Sequence, residues 1–144
     1  MIKIIGIIFL GLLYNQNVYA NIFGTKDIIK FSECFPSEYN SYKKYKNSED
    51  NIFDELSWEI NLKKDTVTRT VIWNDKEIVI AKKNGLDLKK IDIDSFPISS
   101  LTTNFVVIAD KNYEFTLNIQ TGHIQTISKN TSNLNRVGTK CKIS

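Results

Sequence analysis

Arginine, histidine, proline, methionine and cysteine are all scarce in this chain of 144 residues. There are two arginines, Arg69 and Arg136, a lone histidine, His123, two prolines, two cysteines and one methionine. A single histidine leaves no pair to share a metal and no ready His-based acid and base. No GxSxG, P-loop or HExxH pattern occurs, so the common hydrolase and nucleotide chemistries lack their residues, and no cofactor is implied. Two prolines and six glycines exclude collagen-like repeats. After Ala20 no apolar run approaches the roughly 20 residues that cross a bilayer as a helix.

What is abundant is isoleucine (21), lysine (17) and asparagine (15). That excess, with so little arginine, is the footprint of an AT-rich coding sequence, so lysine abundance carries no functional weight. Hydrophobic residues make up 42% and charged residues 24%, the balance of a folded domain. The first three residues are weakly basic, 4–14 is apolar apart from Gly6 and Gly11, and Val18-Tyr19-Ala20 ends in a small residue. This is the pattern of a secretory signal cleaved before Asn21, which implies a periplasmic or secreted protein. The formal charge of +3 then falls to +2, too small to argue for nucleic acid. The expected organisation is a signal at 1–20, an irregular or short-helical segment at 21–54 and an antiparallel β domain at 55–144, with 21–144 as one globular unit.

In an exported chain Cys34 and Cys141 are expected to form one disulfide, because no Cys-x-x-Cys or zinc pattern gives them another use. Closing a loop of about 100 residues contributes up to about 4.7 kcal/mol through the entropy removed from the unfolded chain. Val137, Cys141 and Ile143 share a parity opposite to Lys140 and Lys142, which points the Cys141 sulfur inward.

From Leu56 the hydrophobic period is close to two. Leu56, Trp58, Ile60 and Leu62 alternate with polar residues, and 66–73 (TVTRTVIW) follows a Lys63-Lys64-Asp65 turn, so the two runs predict a hairpin. A short apolar strand is expected at 77–81, followed by an Asn84-Gly85 hairpin turn and a strand from Leu86. Leu86 and Leu88 differ in parity from Ile91 and Ile93, so a bulge at Lys89-Lys90 is needed to keep one inward face, and Pro97 is expected to end the strand. The run 105–109 (FVVIA) suggests a strand buried on both faces or lying beneath the N-terminal segment. Tyr113, Phe115, Leu117 and Ile119 alternate cleanly, Gln120-Thr121-Gly122 turns into 124–128, 130–135 is a polar loop, and 136–143 is a last strand. About eight strands joined by Asn, Asp and Gly turns predict an all-β fold, a small antiparallel barrel or sandwich. In the N-terminal segment Tyr39, Tyr42 and Tyr45 recur every three residues, the spacing of a short helix laid over an open end of the sheet, with Ser37 as its cap and Cys34 pinning it to Cys141.

The candidate sites are few. Asp92 and Asp94 share a face around Ile93, which suits either the solvated outer side of the strand or a weak cation site. Trp58 and Trp73 are either core or the walls of a ligand pocket at a barrel mouth. Lys129, Arg136, Lys140 and Lys142, with no nearby carboxylate, mark either an edge strand guarded by lysine or a basic face for an acidic partner. His123, beside a tight turn, reads as a solvent-facing turn residue. An eight-stranded body with a bridge near its ends is similar in architecture to the periplasmic lysozyme inhibitors, over roughly Cys34 to Cys141. No shared motif accompanies that likeness, so it carries over no functional residue. Function is therefore expected to be non-enzymatic binding or interaction, with a protein or envelope component as partner. A lipocalin-like carrier of a small apolar ligand is the alternative. The two are separated by whether an apolar cavity of about 300 Å³ or more is lined by Trp58 or Trp73.

Overall fold

The computed structural model describes residues 26–130 and 136–144, so the expected signal segment and most of the polar loop at 130–135 lie outside the described residues. Eight antiparallel strands follow one another in chain order and close into a barrel: β1 (Ile28–Pro36), β2 (Phe53–Asn61), β3 (Thr66–Trp73), β4 (Ile91–Leu101), β5 (Phe105–Ala109), β6 (Tyr113–Asn118), β7 (His123–Ser128) and β8 (Arg136–Ile143). The fold is therefore an all-β barrel, and of the two architectures expected the sandwich is excluded. β8 returns to pair with β1, and Cys34 is bonded to Cys141 across that seam, a sequence separation of 107. Closure corrects one expectation. Because β8 has a neighbour on each side, Lys140 and Lys142 do not guard a free edge.

The two ends of the barrel are built differently. At one end the connections are tight turns at 62–65, 102–104 and 119–122. Gly122 holds φ at 72°, and a Cβ there would stand 2.1 Å from the Cys141 carbonyl oxygen, which explains the glycine. Inward residues at this end are aliphatic and sealed: Ile60, Val67, Val106 and Leu117 are fully buried, with Ile29 nearly so. Each such side chain contributes roughly 1.5–3 kcal/mol by leaving water. At the other end 110–112 is also a tight turn, but the chain makes two long excursions, 37–52 with helix α1 (Tyr42–Lys46) and 74–90 with helix α2 (Asp75–Lys83).

Several elements differ from the sequence reading. The N-terminal segment contributes a full strand, β1, which takes the place of the one expected at 77–81. That stretch is helix α2. The Asn74 side chain accepts from the Glu77 N–H at 2.9 Å, and Asp75 and Glu77 favour the first turn, so a capping arrangement prevails over a run of β-branched residues. Gly85, with φ at 75°, ends the helix rather than turning a hairpin.

β4 starts at Ile91, without a strand from Leu86 or a bulge at Lys89-Lys90, and Pro97 does not end it. The Ile98 N–H donates to Asp65 O on the β3 side, so by alternation the Pro97 nitrogen faces the side of β4 that gains β5 pairing only from Ile98 onward. β5 is buried on one face only, through Val106 and Ile108, while Phe105 is exposed. Val137, at the start of β8, is exposed rather than inward-packed, whereas Cys141 and Ile143 do pack on the core. Helix α1 exists, but Ser41 caps it in place of Ser37, and its stripe is packing: Tyr45 is buried, stacks edge-on with Tyr39 at 5.2 Å and accepts from the Ile52 N–H.

Candidate functional site

The site follows from which residues the strand alternation turns inward at the open end. On β3, Val67 and Val71 face the interior, and the same parity carries Arg69 and Trp73 inward. On β4, Phe96 is buried and its parity brings Asp94 and Asp92 to the same side, while Ile91 and Ile93 stand outside, 51% and 66% exposed. This reverses the expected orientation. Asp92 and Asp94 are not on the outer face of the strand. The register explains why: Asp94 lies opposite Arg69 and Asp92 opposite Val71, so the inward carboxylates find donors at the mouth that compensate their loss of water.

Arg69 Nη2 donates to Asp94 Oδ2, and the guanidinium carbon sits 5.6 Å from the Trp58 ring and 5.7 Å from each of Phe96 and Phe115. Three rings thus surround one cation, an arrangement worth roughly 0.5–2 kcal/mol for each well-placed face. The rings also pack on one another, with centroids 5.2 Å apart for Trp58 and Phe115 and 5.9 Å for Phe96 and Phe115. Above them Trp73 Nε1 donates to Asp92 Oδ2 at 2.8 Å, and Trp73 packs against Phe53 at 5.2 Å.

Over this layer lies a cavity of about 390 Å³, bounded by Phe53, Leu56, Trp58, Arg69, Val71, Trp73, Asp92, Tyr113 and Phe115, with Ile124, Thr126 and Thr139 on the opposite wall. Both tryptophans therefore stand at a mouth, with Trp58 in its floor and Trp73 at its side. Two N–H groups at the floor, Trp58 Nε1 and Arg69 Nε, are buried without a hydrogen-bond partner among the described residues. Each such orphan costs about 1–3 kcal/mol, a departure from the tidy closed end. At the rim Lys90 Nζ reaches Asp54 Oδ2 and Asp75 Oδ1, each at 2.8 Å, and those two carboxylates raise the lysine pKa above its ordinary value, Asp54 more than Asp75.

The remaining candidates are dispersed. Lys140 and Lys142 lie on the outer face of β8 and, with His123, Glu33, Phe35 and Tyr42, border a surface cleft of about 500 Å³. Lys142 is 3.9 Å from Glu33, so that cleft is mixed in sign. Lys129 is turned away, donating to the Asp110 carbonyl at 2.8 Å, and Arg136 is exposed at the start of β8. His123 is exposed as the first residue of β7. The cleft is the larger hollow, but mostly outer-face side chains form it; the barrel cavity is walled by side chains converging from β2, β3, β4, β6, β7 and β8. Among the described residues no helix is long and apolar enough to cross a membrane, and no group of three or more His, Cys, Asp or Glu side chains is placed to hold a metal ion.

Sequence reasoning found the tryptophans and missed Arg69. Its signal was present: in TVTRTVIW an arginine occupies the parity of Val67 and Val71, and in a chain with two arginines an inward one carries information. Comparison with protein-family models, with curated proteins and with solved structures finds no match to this chain, so the architectural likeness to lysozyme inhibitors gains no support and the site stands on its own geometry.

Proposed function

We propose that this protein is a non-enzymatic carrier that holds a small, largely apolar ligand in the open end of its barrel. The observation that carries the reading is the cavity of about 390 Å³ walled by Phe53, Trp58, Trp73, Tyr113 and Phe115, within the size range of small-molecule sites and lined as they usually are. Export after Ala20 belongs to the same proposal, and the Cys34–Cys141 bridge supports it, because such bridges persist in oxidising compartments. No residue is assigned a catalytic role.

The test is an equilibrium titration of residues 21–144 with the neutral fluorophore N-phenyl-1-naphthylamine. Saturable binding of one molecule per chain is expected. Replacing Val71 by Trp, which places a large ring inside the cavity, should weaken it by about tenfold or more, equivalent to about 1.4 kcal/mol. Failure of the fluorophore to bind would remove the carrier reading and return the choice to an interaction domain. The exposed Val79, Ile80, Leu86, Ile91 and Ile93, all between residues 79 and 93, then become the surface to examine.

A further inference from the structure

The carrier reading leaves the ligand's polar end open, and the charges around the cavity address it. We infer that the preferred ligand carries a protonated amine on its apolar body, with Asp92 as the carboxylate that receives it. The inference rests on the carrier reading and on three observations.

Arg69, the cation in the cavity wall, is already engaged: its guanidinium donates to Asp94 and lies among the Trp58, Phe96 and Phe115 rings. It is placed to seal the floor, and its charge is neutralised by Asp94. Asp92 also lines the cavity but takes part in no ion pair among the described residues. Its Oδ2 accepts from Trp73 Nε1 at 2.8 Å, which orients the carboxylate and leaves its other oxygen to a ligand.

The sign of the surrounding wall agrees. Asp54, Asp75, Asp92 and Asp94 stand against three cations, Lys90, Arg69 and Lys46, whose Nζ donates to the Phe53 and Asp54 carbonyls, so this side of the mouth keeps one uncompensated negative charge in a chain whose formal charge is +3. A ligand carboxylate would meet that excess; an ammonium would relieve it. The aromatic walls add to the preference, because the faces of Trp73, Phe53 and Tyr113 attract a cation as well as an apolar body. A partly buried charge-assisted hydrogen bond of this kind contributes more than a neutral one.

The experiment compares three probes of one shape, 1-naphthylmethylamine, 1-naphthalenemethanol and 1-naphthoate, in the full mature protein at pH 7, with N-phenyl-1-naphthylamine as the apolar control. The amine is expected to bind about tenfold more tightly than the alcohol, a difference of about 1.4 kcal/mol, and more tightly still than the carboxylate. In Asp92→Asn, which keeps an acceptor for Trp73, the amine advantage should shrink to about twofold or less. The alcohol or the carboxylate binding as well as the amine, while the control still binds, overturns the amine assignment and leaves the carrier reading intact. If neither the control nor any naphthyl probe binds, the carrier reading itself fails. The wild-type comparison decides the sign even if Asp92→Asn does not fold.

Discussion

The closed end of the barrel and the open end are made from the same eight strands, yet they obey different rules. At the closed end the inward residues Ile60, Val67, Val106 and Leu117 are aliphatic and fully buried, and the turns are three or four residues long. At the open end the inward positions of the same strands carry Arg69, Trp73, Asp92, Asp94 and Tyr113, two buried N–H groups lack partners among the described residues, and two of the connections lengthen to hold helices. One end is organised for stability. The other gives up packing for a hollow lined with aromatic faces and charges, and natural proteins break their own packing rules mainly where a site requires it.

Substitutions should separate the two ends. The largest effect is expected at the seam that both share: replacing Cys34 and Cys141 together by Ala should lower the unfolding free energy by about 2–5 kcal/mol, read from urea midpoints. Next, Leu117→Ala at the closed end removes a fully buried side chain and should cost about 2–5 kcal/mol, while leaving ligand affinity of the surviving folded fraction unchanged.

Arg69→Met at the open end should cost less, about 1–3 kcal/mol, because its partner Asp94 keeps 44% of its side-chain surface in water. Its larger effect should be on binding, since the floor of the cavity loses its plug. A stability loss from Arg69→Met exceeding that of Leu117→Ala would show that the charged layer, and not the aliphatic one, holds the barrel together.

The smallest effect concerns pH. Burial raises the Tyr45 phenol above its ordinary value of 10.0, with the hydrogen bond from Ile52 opposing the shift. A raised folded pKa means that the native state holds its proton longer than the unfolded chain does. The associated stability is present below pH 10 and is lost as pH rises beyond it. Alkaline denaturation curves of Tyr45→Phe should therefore lack that loss, while the variant is slightly weaker at neutral pH because the Ile52 N–H loses its acceptor.

Much of the closed end was legible in the sequence. Ile60 and Leu62, then Val67, then Leu117 and Ile119 alternate with polar residues, and a period of two assigns strand and inward face together. The open end was harder for a physical reason: there the inward positions are polar, so the rule that apolar means inward inverts. Ile91 and Ile93 drew the inward assignment that belonged to Asp92 and Asp94, and an unneeded bulge followed from that choice. Phe96 held the correct parity.

Helix α2 failed differently. Residues 77–81 are apolar and partly β-branched, but Asn74 and Glu77 stand at capping spacing three apart, and that local hydrogen bond outweighs the composition of the run. β1 was hidden because Glu33, at φ 50°, interrupts its alternation with a bulge between Ser32 and Phe35.

The central claim is that binding belongs to the open end alone. Amide hydrogen exchange of residues 21–144, with and without saturating N-phenyl-1-naphthylamine, tests it most directly. Added protection is expected in the upper parts of β2, β3 and β4, around Leu56, Val71 and Asp92, with no change at Ile60, Val67, Val106 or Leu117. Protection spread evenly over both ends, or centred on the outer cleft at His123 and Lys140, would contradict it.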